Sequence, residues 1–266
     1  VTLSRCGLVI GAIVPTAGAS LLADIKTFQH LGEYAVPLTT GLTIQNLSEG
    51  LRSVWPYPPS YLEQQMEMVL ADFPIQVVKV GAFLTKANGE YLYAALKEHF
   101  GGCPIVFDPV FRVSVNQGAL VEADALPLFK HLCRIATVIT PNLVELSYLL
   151  DRQCSSMDDV RSCLSEMENL APQAFWYVKG GHASDSDTIW DLVCYQGECM
   201  VLNHRTRLPY AVHGTGCILA SAISAFLLKY PDDPIRCFQA AFAYLHQQYA
   251  TAYQVGEKKP FLISHT

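Results

Sequence analysis

The chain has 266 residues, 51% hydrophobic and 16% charged, with a formal net charge of −6. That balance excludes a disordered chain and, with no Lys/Arg cluster, a nucleic-acid surface; no run reaches the length of a membrane span. Nine cysteines scattered without a CxxC read as small hydrophobes of a cytoplasmic protein, not as a disulfide scaffold.

Taken in order, short β-rich runs alternate with helical patterns. The stretch RCGLVIGAIVPTAGAS, from Arg5 to Ser20, has the basic start and apolar run of a secretory signal, but Gly11 and Pro15 break it. It reads instead as a first strand over 8–14 followed by a loop. Gly32 closes the helix LLADIKTFQHL. Further strands are expected over 34–39, 75–80, 104–107, 136–139 and 175–178, most of them continuous apolar runs suited to a sheet covered on both faces. Ser60 and Glu63 have capping-box spacing, and Asp233-Pro234 reads as an N-cap followed by proline at the first helical position. Residues 190–202 read as a hairpin turning at Gln196-Gly197. The last two helices open at His213-Gly-Thr-Gly-Cys217 and at Pro234. The aromatic stripe AFAYLHQQYATAY, from Ala241 to Tyr253, reads as core or as a dimer surface. No linker or repeat divides the chain, so residues 1–266 are expected to form one three-layer α/β/α domain with a mostly parallel sheet.

In such folds ligands bind beyond the carboxyl ends of the strands. The turns expected there are PTAGAS, GLTIQN (41–46), GAFL (81–84), Asp108-Pro109, TPNLVE (140–145) and KGGH (179–182). Lys179 offers a mobile cation, and Gly180 and Gly181 allow close backbone approach. In HGTGC, glycines at a helix start gather N–H groups into an anion hole, where the helix dipole would favour the thiolate of Cys217. Asp108 and Glu145 are carboxylates at strand ends that could hold Mg²⁺. Together these parts suit transfer of a terminal phosphoryl group, with Cys217 as the base. Neither GxxxxGK[ST] nor a Rossmann GxGxxG after the first strand is present. His213 reads as ordering its loop through hydrogen bonds.

The ordered set DIKTF (24–28), LTIQN, KVG, DPV, TPNLVEL, VKGGH and HGTGC resembles the hydroxymethylpyrimidine/phosphomethylpyrimidine kinases of the ribokinase-like superfamily. The resemblance implies that ATP and Mg²⁺ are used to phosphorylate a hydroxymethylpyrimidine, then its monophosphate, in thiamine biosynthesis. Cys217 would be the base and the N–H groups of Gly214, Thr215, Gly216 and Cys217 the anion hole. Lys179 and Asn142, with Gly180 and Gly181, would serve the nucleotide, and Asp108 and Glu145 the metal. Gln45, Gly18, Gly81 and Ala82 would form the acceptor side, Gln45 meeting the pyrimidine edge. A homodimer is also implied.

This chain departs from the family pattern on the acceptor side. Where the family's first loop reads about GSDPSGGAG, residues 12–20 read AIVPTAGAS, with Val14 for the acid and Ala17 and Ser20 for two glycines. The family's GML is Gly81-Ala82-Phe83. If Ala17 and Ser20 need positive φ, they either strain the loop or remodel it. Two alternatives stay open: a pyridoxal-type kinase, whose acceptor is also a flat ring bearing a hydroxymethyl group, and a ligand-binding homologue that has lost phosphoryl transfer.

Overall fold

Apolar runs with side chains alternating between two faces build the sheet. In the computed structural model the described residues are 3–113, 116, 118–182, 188–206, 208, 210–256 and 261–263. The elements, in chain order, are β1 (Cys6–Ile13), α1 (Ser20–His30), β2 (Ala35–Asn46), β3 (Gly50–Pro56), α2 (Pro59–Asp72), β4 (Ile75–Val80) and α3 (Lys86–His99). Then come β5 (Ile105–Phe107), α4 (Pro127–Cys133), β6 (Val138–Ile139), α5 (Leu143–Leu149), α6 (Met157–Ser162), α7 (Leu164–Leu170) and β7 (Phe175–Lys179). The chain ends with β8 (Thr188–Tyr195), β9 (Glu198–Thr206), α8 (Thr215–Lys229), α9 (Pro234–Tyr249), β10 (Tyr253–Gln254) and β11 (Phe261–Leu262).

One nine-stranded sheet has the order β3-β2-β1-β4-β5-β6-β7-β8-β9. The strands from β2 to β7 in that order run parallel, and β3, β8 and β9 are antiparallel additions at the edges. Leu8 and Ile10 of β1 point to one core, with α2 to α7, while Val9 points to the other, with α1, α8 and α9. This is the period of two expected of a strand covered on both faces. The mostly parallel α/β architecture is the one read from the alternation.

Several local expectations hold. Gly32 has φ +75° and donates to the Gln29 carbonyl, closing α1. The Asp233 carboxylate accepts from the Arg236 N–H at 3.0 Å, with Pro234 at the first helical position. The β8–β9 turn has positive φ at both Gln196 and Gly197, which a tight hairpin matching strand twist requires.

Others are corrected. GLTIQN is not a turn: β2 runs on through Asn46 and folds back as β3. Its inward side carries Thr43 and Gln45 while Leu42 and Ile44 face out, which reverses the usual polarity and hides the strand from a pattern reading. The Ser60–Glu63 capping box does not form. The helix begins earlier, at Pro59, because Pro58-Pro59 already sets the entry and proline is pre-organised for a first helical position. Cys194 and Cys199 are not separate small hydrophobes: they face each other across the hairpin and are joined as a disulfide. Among the described residues, no helix is long and apolar enough to cross a membrane.

Candidate active site

The chain leaves β1 towards β2 on one side and returns to β4 on the other, opening a crevice at the carboxyl ends of the central strands. There the starts of α1 and α8 and the ends of β1, β4, β5, β6 and β7 surround a cavity of about 190 Å³. Gln45, Ala82, Asp108, Asn142, Glu145, Lys179, Gly181 and the run from Gly214 to Cys217 all line it, so most of the residues singled out in the sequence meet in one place. Strand order arranges them. Val14, Gln45, Ala82, Val110, Val113 and Leu120 lie towards β2, and Asn142, Lys179, Gly181 and α9 lie towards β7 and β8, with Asp108 and Cys217 between.

Three predicted residues stand behind the wall. A Cβ on Gly180 would lie 1.9 Å from the Trp190 carbonyl, so this glycine lets β7 close against β8. A Cβ on Gly81 would come within 3.1 Å of the Lys79 ammonium, and one on Gly18 within 2.5 Å of Leu262 and 3.2 Å of the His213 ring. All three serve packing, and none contributes to the cavity surface.

The candidate anion hole is built by backbone. Gly214 takes φ +80° and packs so closely on the first loop that a Cβ would fall 1.8 Å from the Gly18 carbonyl. Ile218 donates to the Gly214 carbonyl at 3.0 Å, so the N–H groups of Thr215, Gly216 and Cys217 precede the intrahelical ladder and are free of it. The Ser20 N–H, at the start of α1, also points to the Cys217 sulfur. Two helix N-termini thus converge on one thiol. Even so, the expected bias towards thiolate is not met: burial, with Asp108 and Asp24 adding to it, pushes Cys217 up to about 12, against the pull of Lys79 and of the Ser20 N–H. Desolvation outweighs the helix dipole here.

On the other wall Lys179 reaches Asp108 at 2.9 Å and Glu145 at 3.7 Å. Asp108 also accepts from the Thr140 hydroxyl at 3.1 Å. Burial alone would raise Asp108, but the ammonium groups of Lys179 and Lys79 hold it below the usual carboxylate range. Glu145 is pushed up to about 7, chiefly by burial. It caps α5 in a reciprocal box with Asn142, accepting from the Asn142 N–H at 2.8 Å while the Asn142 side chain takes the Val144 and Glu145 N–H groups. Two carboxylates beside one cation suit a divalent ion that keeps several waters and shares phosphate ligands. Among the described residues there is no cluster of three or more acidic, His or Cys ligands.

The Gln45 Oε1 is buried with no hydrogen-bond partner among the described residues, and so is the His213 Nε2. Gln45 follows a register shift of β2 on β3, and such irregularities re-aim side chains. The His213 Nε2 therefore does not order its loop by hydrogen bonding; Gly18 packs on that ring instead. Sequence reasoning missed Phe242, His246 and Tyr249 of α9, which line the cavity rather than only filling core or a dimer face. Phe242 and His246 stack at 6.0 Å, offering a flat surface at its edge.

Ala17 and Ser20 adopt φ +51° and +53°, so the positions do require the left-handed region and the chain bears the strain. Ala17→Gly is therefore expected to stabilise the protein by about 0.5–1 kcal/mol, read as a higher urea midpoint with unchanged slope. A lower midpoint would mean the loop is not strained.

Comparison with known proteins fits this geometry. The phosphomethylpyrimidine kinase family model matches residues 15–261. A hydroxymethylpyrimidine/phosphomethylpyrimidine kinase of Aquifex aeolicus is 33% identical over 218 residues, covering 82% of this chain and 84% of that protein. Another, from Streptomyces coelicolor, is 32% identical, with 90% and 86% covered. Among solved structures, the pyridoxal kinase of Staphylococcus aureus in complex with pyridoxal superposes with a TM-score of 0.85 at 25% identity, covering 99% of this chain and 94% of that one. The phosphomethylpyrimidine kinase of Clostridium difficile gives 0.77 at 26% identity, covering 91% and 98%. With the family model spanning nearly the whole chain and relatives above 30% identity along most of it, this chain belongs to the phosphomethylpyrimidine kinase family, a family of phosphotransferases.

Proposed function

We propose that this protein transfers the terminal phosphoryl group of ATP to the hydroxymethyl oxygen of an aminopyrimidine, or of its monophosphate, for thiamine biosynthesis. The observation that carries this reading is one cavity with an unpartnered amide acceptor, Gln45, towards one end and the α8 anion hole with Lys179 towards the other. The flat ring would lie among Val14, Ala82, Val113 and Leu120, its exocyclic amino group donating to the Gln45 Oε1. The nucleotide base would rest near Phe242 and His246, and its phosphates would run past Asn142 and Lys179. Asp108 and Glu145 would hold Mg²⁺, which when bound neutralises phosphate charge.

In the transfer, the hydroxymethyl oxygen forms a bond to the γ-phosphorus and the bond to the β-bridging oxygen breaks. The hydroxyl proton passes to Cys217 as its thiolate, the thiol's own proton having first gone to solvent, and ADP leaves. The N–H groups from Gly214 to Cys217 hold the equatorial oxygens of the moving group, where charge accumulates. Lys179, drawn from its carboxylates, follows the phosphates.

A pyridoxal-type acceptor is the second reading, favoured by the TM-score of 0.85 to the pyridoxal-bound enzyme. Kinetics with 4-amino-5-hydroxymethyl-2-methylpyrimidine, its monophosphate and pyridoxal separate the two. The expected result is a kcat/KM at least about tenfold higher for a pyrimidine, because pyridoxal offers no amino donor to Gln45. Preference for pyridoxal would reassign the acceptor.

A homodimer belongs to the same proposal. Leu42, Ile44 and Trp55 form an apolar row on the outer face of β2–β3, at 38%, 46% and 63% exposure, and Leu42 pairs directly with Trp55. A row of that kind fits a second copy better than water. Trp55→Ser is expected to raise the dimer dissociation constant at least roughly tenfold in sedimentation; a wild-type monomer would contradict this.

A further inference from the structure

Beneath the anion hole lies a buried ion pair that the proposed chemistry does not use directly. Lys79, at the end of β4, and Asp24, on α1, are 1% and 0% exposed and lie 2.9 Å apart. The Ser221 hydroxyl donates to the other Asp24 oxygen at 2.7 Å. Two spacings fix where this cluster sits. Ser221 is one helical turn below Cys217 on the same face of α8, and Asp24 is one turn below Ser20 on α1. Since the Ser20 N–H points to the Cys217 sulfur, the Asp24–Ser221 bond repeats that contact one turn deeper. Gly81 leaves the space that the Lys79 ammonium needs, a Cβ there falling 3.1 Å from it. The motifs DIKTF and KVG thus meet in space, under the cysteine.

An unpaired buried charge is costly, and a buried pair is weak evidence of stability, because apolar side chains of like volume do as well. The cluster therefore calls for a role beyond folding. We propose that Lys79, clamped by Asp24 and Ser221, is a positioning residue for Cys217, supplying the fixed positive charge against which the sulfur is held when it takes the acceptor's proton. This rests on the phosphoryl-transfer reading above, in which Cys217 is the base.

The charges facing Cys217 are Lys79 from β4, Asp24 from α1, Asp108 from the end of β5 and Lys179 from β7. Burial works against the Lys79 ammonium, but Asp24, Cys217 and Asp108 more than offset it and keep it charged. Of the side chains around the sulfur, Lys79 is the one whose charge favours the thiolate most, while Asp24 and Asp108 oppose it. Removing charges should therefore act with opposite signs. Asp24→Asn, which keeps hydrogen-bond partners for Lys79 and Ser221, lowers the proton affinity of Cys217. The paired change Asp24→Asn with Lys79→Met raises it.

The test is the pH dependence of iodoacetamide alkylation at Cys217, read by peptide mass spectrometry on the whole protein, alongside the pH profile of kcat. Asp24→Asn should move the alkylation midpoint down, and the paired variant should move it up, by about one pH unit each. The acidic limb of kcat should move with it, a roughly tenfold loss at fixed pH on that limb for the paired variant. A merely structural pair would change amplitude and leave both midpoints where they were, and that result would overturn the proposal. If the paired variant does not fold, Asp24→Asn decides alone: a lower midpoint supports the role, and an unmoved one overturns it. Alkylation needs no turnover, so failure of this inference is separable from a wild-type protein that phosphorylates none of the acceptors.

Discussion

Cys217→Ser should lower turnover by roughly 10²–10⁴-fold, the range that a positioned proton acceptor contributes, while ADP binding changes little. The thiol sits where the N-termini of α1 and α8 converge, with the Ser20 N–H pointing at it. A serine hydroxyl fits the same space and keeps every backbone donor of the hole. What it removes is the thiol, whose ionised form accepts the proton in the proposed transfer and which a serine hydroxyl, a much weaker acid, does not replace. In the proposed arrangement nucleotide affinity rests on the N–H groups and Lys179, which the substitution leaves alone. Acceptor-dependent ADP release and calorimetric ADP binding together check this, and unchanged turnover would take Cys217 out of the mechanism.

Lys179→Ala should have a larger effect on ATP than on the acceptor, with the ATP dissociation constant rising at least roughly 30-fold and the acceptor constant nearly unchanged. Lys179 bridges Asp108 and Glu145, and in the proposed arrangement it is the cation on the nucleotide side. Its loss removes a phosphate partner and also leaves two carboxylates facing the phosphates without a counter-charge. The empty protein should lose stability as well, by at least about 2 kcal/mol, because breaking a mostly buried network by one member costs more than the intact network is worth. Part of that cost is absorbed, since Glu145 is already held near neutrality by burial. Equal weakening of acceptor and nucleotide would mean that the phosphate path has been placed wrongly.

Much of the site was legible because its residues sit at the ends of strands whose apolar runs are plain. Asp108, Asn142, Glu145, Lys179 and the HGTGC turn each follow such a run or open a helix, and a parallel sheet brings those ends together. What stayed hidden has physical reasons. The β2–β3 hairpin puts Leu42 and Ile44 outside and Gln45 inside, so its hydrophobic alternation points the wrong way. Lys79 looks like the polar end of a strand, and nothing local says that it is buried against Asp24, 55 residues away. The same is true of Ser221, whose partner lies 197 residues away. Phe242, His246 and Tyr249 share a helix with core residues, and spacing alone does not tell the cavity side of that helix from its core side. Ala17 and Ser20 mark the opposite case: the sequence posed a choice between strain and remodelling, and their positive φ angles decide it for strain. The thiolate expectation for Cys217 failed for a related reason, because burial is a tertiary quantity and here it outweighs a local dipole.

The most direct test follows the phosphorus itself. Wild-type protein, Mg²⁺ and ATP are incubated with 4-amino-5-hydroxymethyl-2-methylpyrimidine and watched by ³¹P NMR, with Cys217→Ser in parallel. The account predicts a phosphomonoester signal growing in step with ADP for the wild type and nearly absent for the variant. ADP appearing without a phosphorylated pyrimidine, or ester forming equally fast without the thiol, would contradict it.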